Sequence, residues 1–334
     1  MPFREILGQD YAIGLIKNAL NRSRMPQSWL FTGQKNIGKF KTAVALSKKL
    51  NCRRSSDDAC GECDYCLQIE KQNFLDFQVV SPEGKNIKIS QIKKSLDWLN
   101  LHSDRARIRV MILDDAQNLG REAANAFLKT LEEPSPNTLL ILIAESSKQI
   151  PETIVSRCQQ IRFRPLSEKI TKKILNQTTD LSDQRINVLA SHSMGSIKTS
   201  LATRIEIFEN VHEKAIFWMT NISFINLDEV LQTFEKWGKS KDGEWNIFLD
   251  FLEIWFRDLC LIIRDFPEDK LVNNIASSSE NRIFLLKKCS FNFKIECVQE
   301  IFWQIIEVRK AIELNANKSL TLSSLFLYIL KRTI

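Results

Sequence analysis

Gly33, Gly38 and Lys39 stand at the Gly-x-x-x-x-Gly-Lys spacing of a phosphate-binding loop. The chemistry of that pattern is anion capture. Glycines let consecutive backbone N–H groups curl round a phosphate, the following helix adds the positive end of its dipole, and the lysine reaches the outer phosphates. The next position departs from the pattern. A Ser or Thr hydroxyl belongs there to hold Mg²⁺, and the chain carries Phe40. Thr42 is no replacement, because two residues along a helix turn the side chain by about 200°. The loop is therefore expected to keep its shape and lack its metal ligand. That makes it a degenerate nucleotide site, binding nucleotide weakly or not at all.

Asp114 and Asp115 close the apolar stretch RIRVMIL, where the second motif of a nucleotide hydrolase belongs. There the first acid supports Mg²⁺ and the second polarises the attacking water. The second is usually Glu. Asp115 is one methylene shorter and draws its carboxylate back by about 1 Å, a costly displacement in catalysis. It points the same way as Phe40.

Cys52, Cys60, Cys63 and Cys66 follow the loop's helix within fifteen positions. That spacing suits a closed tetrahedral Cys₄ zinc site, with Gly61 loosening the backbone between the second and third ligands. Disulfides are the poorer alternative in a reducing compartment, and redox CxxC motifs come as a single pair. No His, Asp or Glu is arranged to activate a metal-bound water, so the zinc would be structural. Cys158, Cys260, Cys289 and Cys297 are scattered and read as core residues. Lys85, Lys88, Lys93 and Lys94 form a basic stretch, either a solvated helix face or a contact for DNA phosphates through Lys93 and Lys94.

These residues need elements to position them. WLFT reads as a buried strand entering the loop, and KTAVALSKKL as the helix leaving it. A helix over Ala12–Asn21 precedes them. Ahead of it an LGQ turn places Gln9 either beside a bound adenine or in a surface turn. The spacing further predicts a short strand at Phe77 and a helix over Ser90–Leu99 capped by Ser90. A strand ending at Asp114 and a helix over Arg121–Glu133 stopped by Pro134 come next. After them follow the strand of NTLLILIAE, a short helix holding Ser156-Arg157-Cys158, and a last strand over Gln160–Phe163. Continuous apolar strands suit a parallel sheet covered on both faces. The fold class is therefore α/β, with a phosphate loop on a parallel sheet.

The 334 residues are too many for one ordinary core. Hydrophobic content of 44% and charged content of 26% suit a water-soluble globular protein. No apolar run is long enough to span a bilayer, and the N-terminus lacks the plan of a signal peptide, so the expected compartment is the cytoplasm, with no membrane partner. A net charge of +7 permits contact with nucleic acid without demanding it. With 10 Gly and 8 Pro, long helices and few turns are expected.

The loop GQKNIGK, the four cysteines after its helix, the strand ending LDDA, the run NAFLKTLEEP and the triplet SRC occur here in one order. In that order they resemble bacterial clamp-loader AAA+ subunits of the DNA polymerase III holoenzyme. The resemblance is dense from Gly8 to Phe163. Beyond Pro165 it thins to Gly195-Ser196-Ile197-Lys198, where the family has a short lid motif. It implies an AAA+ domain over 1–165 with the zinc module at 52–66, a helical lid over 166–203 and an all-helical collar over 204–334. It also implies a hetero-pentamer with motor ATPase subunits and a delta subunit, which loads a sliding clamp onto primer–template DNA. Some members of such rings act as stators that do not turn over ATP. Their SRC arginine, here Arg157, enters the ATP site of the neighbouring subunit as an arginine finger. Without that role Arg157 would be a salt-bridged arginine at a helix end.

The aromatic-rich C-terminal stretches, four to six helices, serve either as core or as a collar interface. The runner-up is an active motor ATPase using Lys39, Asp114 and Asp115. Such subunits often carry more C-terminal sequence than is found here. A lone zinc-containing nucleic-acid binder fits less well, because the cysteine module lacks the surrounding aromatic and basic residues that read bases.

Overall fold

The structure, a computed structural model, describes residues 1–21, 25–54, 57–100, 107–193, 195–197, 205–240, 243–267, 271 and 282–333. The chain forms two compact units. The first is Met1–Ile170 with Gly195–Ile197, and the second is Thr171–Met194 with Lys198–Ile334.

A five-stranded parallel sheet organises the first unit. Its strands are β1 (Ser28–Thr32), β2 (Phe77–Val80), β3 (Arg109–Leu113), β4 (Thr138–Ala144) and β5 (Gln159–Arg162), in the order β2-β3-β4-β1-β5. The three inner strands are buried at every position, as continuous apolar runs require. At the β5 edge only Ile161 is buried, so the last strand is mostly polar. The helices are α1 (Asp10–Leu20), α2 (Lys39–Asn51), α3 (Asp64–Glu70), α4 (Ile89–Asn100), α5 (Arg121–Glu132) and α6 (Glu152–Val155). The core between α4, α5 and the sheet is filled by Ile92, Leu99, Phe127, Leu131, Met111, Leu140 and their neighbours.

Two helix boundaries differ from expectation for local reasons. Ser90 lies inside the first turn of α4 and does not cap it. Instead Gln91 Oε1 accepts the Lys88 N–H at 2.9 Å, the back-reaching half of a capping box. The short α6 ends at Val155, so Ser156, Arg157 and Cys158 sit just beyond it.

In the second unit α7 (Glu168–Thr178, which begins in the first unit) and α8 (Asp183–His192) lead to six further described helices. They are α9 (Ile205–Thr220), α10 (Leu227–Lys239), α11 (Glu244–Ile263), α12 (Arg282–Ser290), α13 (Ile295–Glu313) and α14 (Lys318–Leu330). Trp218 anchors the core here. Its ring lies 5.5–5.9 Å from those of Phe234, Trp237, Phe248 and Phe326, so one aromatic cluster joins α9, α10, α11 and α14. Arg309 of α13 pairs with Asp250 and Glu253 of α11 at 2.9 and 2.8 Å. No helix among the described residues is long and apolar enough to cross a membrane.

Candidate functional site

β1 delivers the chain into the phosphate loop at the C-terminal edge of the sheet, where ligands of open α/β sheets bind. Gly33 adopts φ +143°, and a Cβ there would meet the Phe163 carbonyl oxygen at 2.7 Å. Gly38 caps α2 with φ +102°. Both glycines are therefore required by the backbone path itself.

Every carbonyl from Gly33 to Gly38 accepts a hydrogen bond. Lys39 Nζ donates to those of Gly33 and Gln34, at 2.5 Å each. Ser196 Oγ donates to that of Lys35 at 2.7 Å, and the Ile197 N–H to that of Asn36 at 3.1 Å. Gln9 Nε2 donates to that of Ile37 at 3.0 Å, and the Thr42 N–H to that of Gly38 at 2.9 Å. Tying carbonyls outward is the geometry of a loop built to turn N–H groups toward an anion. Lys39, meanwhile, is spent on the loop's own backbone. Burial lowers its pKa, while the charges of Glu145, Asp114 and Asp115 act the other way.

Phe40 is half-buried on the first turn of α2. Thr42 is fully buried and donates its hydroxyl to the Gly38 carbonyl at 2.8 Å, which removes it as a metal ligand. Gln9 is not the surface turn residue that was one of its two expected forms. It is buried, and bonds the Arg164 carbonyl and N–H at 2.8 and 3.2 Å as well as Ile37.

Asp114 and Asp115 follow β3 beside the loop. Burial, reinforced by the Asp115 charge, raises the Asp114 pKa. Asp115 stands at φ +50° and accepts from Gln117 Nε2 at 3.0 Å. Lys35 reaches across from the loop, 3.2 Å from Glu145 and 3.8 Å from Asp115. Lys39, Asp114 and Asp115 thus lie close enough for their charges to act on one another. Lys35, Glu145 and Ser196 join them, and no sequence signal singled out the first two.

The four cysteines also converge. Their Sγ atoms lie within 4.8 Å of one another, and Cys60 Sγ is 3.9 Å from Cys66 Sγ. A disulfide needs about 2 Å. The N–H groups of Cys60 and Cys63 point at Cys52 Sγ and Cys60 Sγ, at 3.4 and 3.3 Å, the outer hydrogen bonding that thiolate ligands favour. The donor set fits a four-coordinate soft-metal site. Asp58 fastens this module to the N-terminus by accepting the N–H groups of Phe3 and Arg4 at 3.1 Å each. Tyr65 carries Arg53 over its ring at 4.0 Å.

Arg157 is partly exposed and bonded within its own chain. Its Nε and Nη2 donate to Glu132 Oε1 at the end of α5, and Nη1 donates to the Thr153 carbonyl. Lys93 and Lys94 are exposed on α4. They are not brought to the loop or to the cysteines. Lys198 lies outside the described residues.

Residues 8–167 match the family model described as DNA polymerase III, delta subunit. Over nearly the whole chain, the sequence is 27% identical to the DNA polymerase III subunit delta' of Bacillus subtilis, across 321 residues and 92% of each protein. It is 34% identical over 206 residues to the DNA polymerase III subunit gamma of Buchnera aphidicola, covering 60% of this chain and 56% of that one. A gamma subunit-related protein of Thermotoga maritima aligns in structure over 96% of this chain and 99% of its own, with a TM-score of 0.49 and 18% identity. The chain spans little more than half the length of its gamma relative and nearly all of its delta' relative. The α/β architecture, a phosphate loop on a parallel sheet followed by a helical C-terminal region, agrees with the expectation.

Proposed function

We propose that the protein is a non-catalytic, stator-type subunit of the DNA polymerase III clamp loader, supplying Arg157 to the ATP site of a neighbouring subunit. The similarity to a delta' subunit over 92% of both chains carries this reading. The site supports it. The loop has kept its fold, while Phe40 replaces the metal-binding hydroxyl, Thr42 is committed to backbone and Asp115 is paired with Lys35. A subunit that serves its neighbour's site does not need its own.

In this reading the partners are motor ATPase subunits and a delta subunit in a hetero-pentamer in the cytoplasm, acting on a sliding clamp and primer–template DNA. Zinc at Cys52, Cys60, Cys63 and Cys66 is structural. Lys93 and Lys94 contact DNA. Residues 166–203 serve as a lid and 204–334 as a collar. Phe224 and Leu314, 93% and 82% exposed, support an interface on the helical unit.

The 34% identity to a gamma subunit favours a second reading, an active motor ATPase using Lys39, Asp114 and Asp115. Equilibrium binding of Mg-ATP to the purified chain, followed by a turnover assay on the same sample, separates the two. No binding at millimolar nucleotide, or binding without turnover, supports the stator. Turnover transfers the assignment to the motor.

A further inference from the structure

We propose that Glu132 is a positioning residue for Arg157, orienting the guanidinium for use outside this chain. The proposal rests on the reading of Arg157 as an arginine finger.

The guanidinium is a planar fork with five N–H donors. One oxygen, Glu132 Oε1, accepts from both Nε at 2.9 Å and Nη2 at 2.5 Å. A single acceptor shared by that pair lies on the side edge of the fork. Nη1 in turn donates to the Thr153 carbonyl at 2.9 Å and to Ser156 Oγ at 3.3 Å. Bonded through Nε, Nη1 and Nη2, the plane cannot rotate freely, while these contacts use one of the two N–H groups of Nη2 and leave the other for a ligand.

The contact joins two separate elements. Glu132 is the last residue of α5, and Arg157 follows the end of α6, 25 positions later. α6 holds Arg157 through the Ile154 carbonyl, which accepts its N–H at 3.1 Å, and the Thr153 carbonyl, and Glu132 adds a constraint from a second element. The side chains are 35% and 51% exposed. Ion pairs this accessible contribute little to stability, so Glu132 orients the fork without locking it away from a phosphate. Pre-setting an arginine removes part of the ordering cost when it binds, which is why fixed guanidinium groups make effective charge stabilisers. The same geometry gives the acid in the run Leu131-Glu132-Glu133-Pro134 a role that its helix-ending neighbour Pro134 does not explain.

The test uses the full chain reconstituted with its cognate clamp-loader subunits, measuring DNA-stimulated ATPase with thermal stability and assembly checked in parallel. Glu132→Ala should lower kcat by about threefold to tenfold with KM for ATP unchanged, the pattern of a contact that matters in the transition state. Glu132→Gln, which keeps an acceptor oxygen on the same rotamer, should retain at least half the wild-type kcat. In an Arg157→Ala background Glu132→Ala should cost nothing further, because both changes remove one device. If Glu132→Ala does not assemble, Glu132→Asp replaces it. That variant keeps the charge, retracts the oxygen and should show the same loss of kcat.

If Arg157→Ala is defective while the Glu132 variants match or exceed wild type, or multiply the Arg157 defect, the positioning role is overturned and the finger stands. If Arg157→Ala itself turns over at the wild-type rate, the finger reading falls and this proposal falls with it.

Discussion

Ser196 donates its hydroxyl to the Lys35 carbonyl at 2.7 Å, joining residues 161 positions apart. The neighbouring Ile197 N–H does the same for Asn36. The triplet Gly195-Ser196-Ile197 thus supports the phosphate loop from behind. Ser196→Ala should lower unfolding free energy by about 1 kcal/mol. Gly195→Ala should cost more, because Gly195 stands at φ +80° and a Cβ would lie 2.8 Å from the Leu166 carbonyl oxygen. Denaturant midpoints of the two variants check the order. A Gly195→Ala variant as stable as wild type would show that this residue does not pack closely on Pro165 and Leu166.

Phe40→Thr returns the hydroxyl that the site lacks. If loss of the metal ligand is what disables the loop, the variant should bind Mg-ATP more tightly than the wild-type chain, by about tenfold or more, the worth of one charge-assisted contact. Calorimetry with and without Mg²⁺ reads this. Equal affinities would place the defect elsewhere in the site, with the Lys35–Asp115 pair the next residue set to change.

The cysteine cluster should carry one zinc per chain, measurable by elemental analysis of the purified protein. Cys66→Ser, at a fully buried ligand position, should lose the metal and lower the melting temperature. Because Asp58 ties this module to Phe3 and Arg4, the N-terminal segment should gain amide exchange in the same variant. A protein free of metal and equally stable would overturn the zinc assignment.

Much of the first unit was legible because its inner strands are unbroken apolar runs, which only a doubly covered parallel sheet accommodates. The loop and the cysteines were legible because their chemistry fixes their spacing. What escaped were relations between distant positions. Glu132 beside Arg157 and Lys35 beside Glu145 leave no periodic trace. The cap of α4 escaped for the opposite reason. Ser90 is a strong local signal, and Gln91 overrides it by reaching back to Lys88.

Lys93 and Lys94 stand exposed on α4, away from the loop. Reversing both charges should weaken primer–template binding by the reconstituted assembly and flatten the dependence of log affinity on log salt by about two. Equal affinity across a salt series would leave the two lysines as a solvated face.

The phosphate loop's carbonyls are moored to Gln9, Lys39, Thr42, Ser196 and Ile197, so the turn behaves as a knot between separate lengths of chain. A knot of this kind divides its residues by what they face. Those on the ligand side are free to drift in a subunit that does not use nucleotide, which is how the proposed stator role accounts for Phe40. Those that hold the strands together are not. Lys39 belongs to the second group as well, since its ammonium braces the Gly33 and Gln34 carbonyls. A lysine retained in such a loop can therefore be a relic of binding and, at the same time, a working part of the framework.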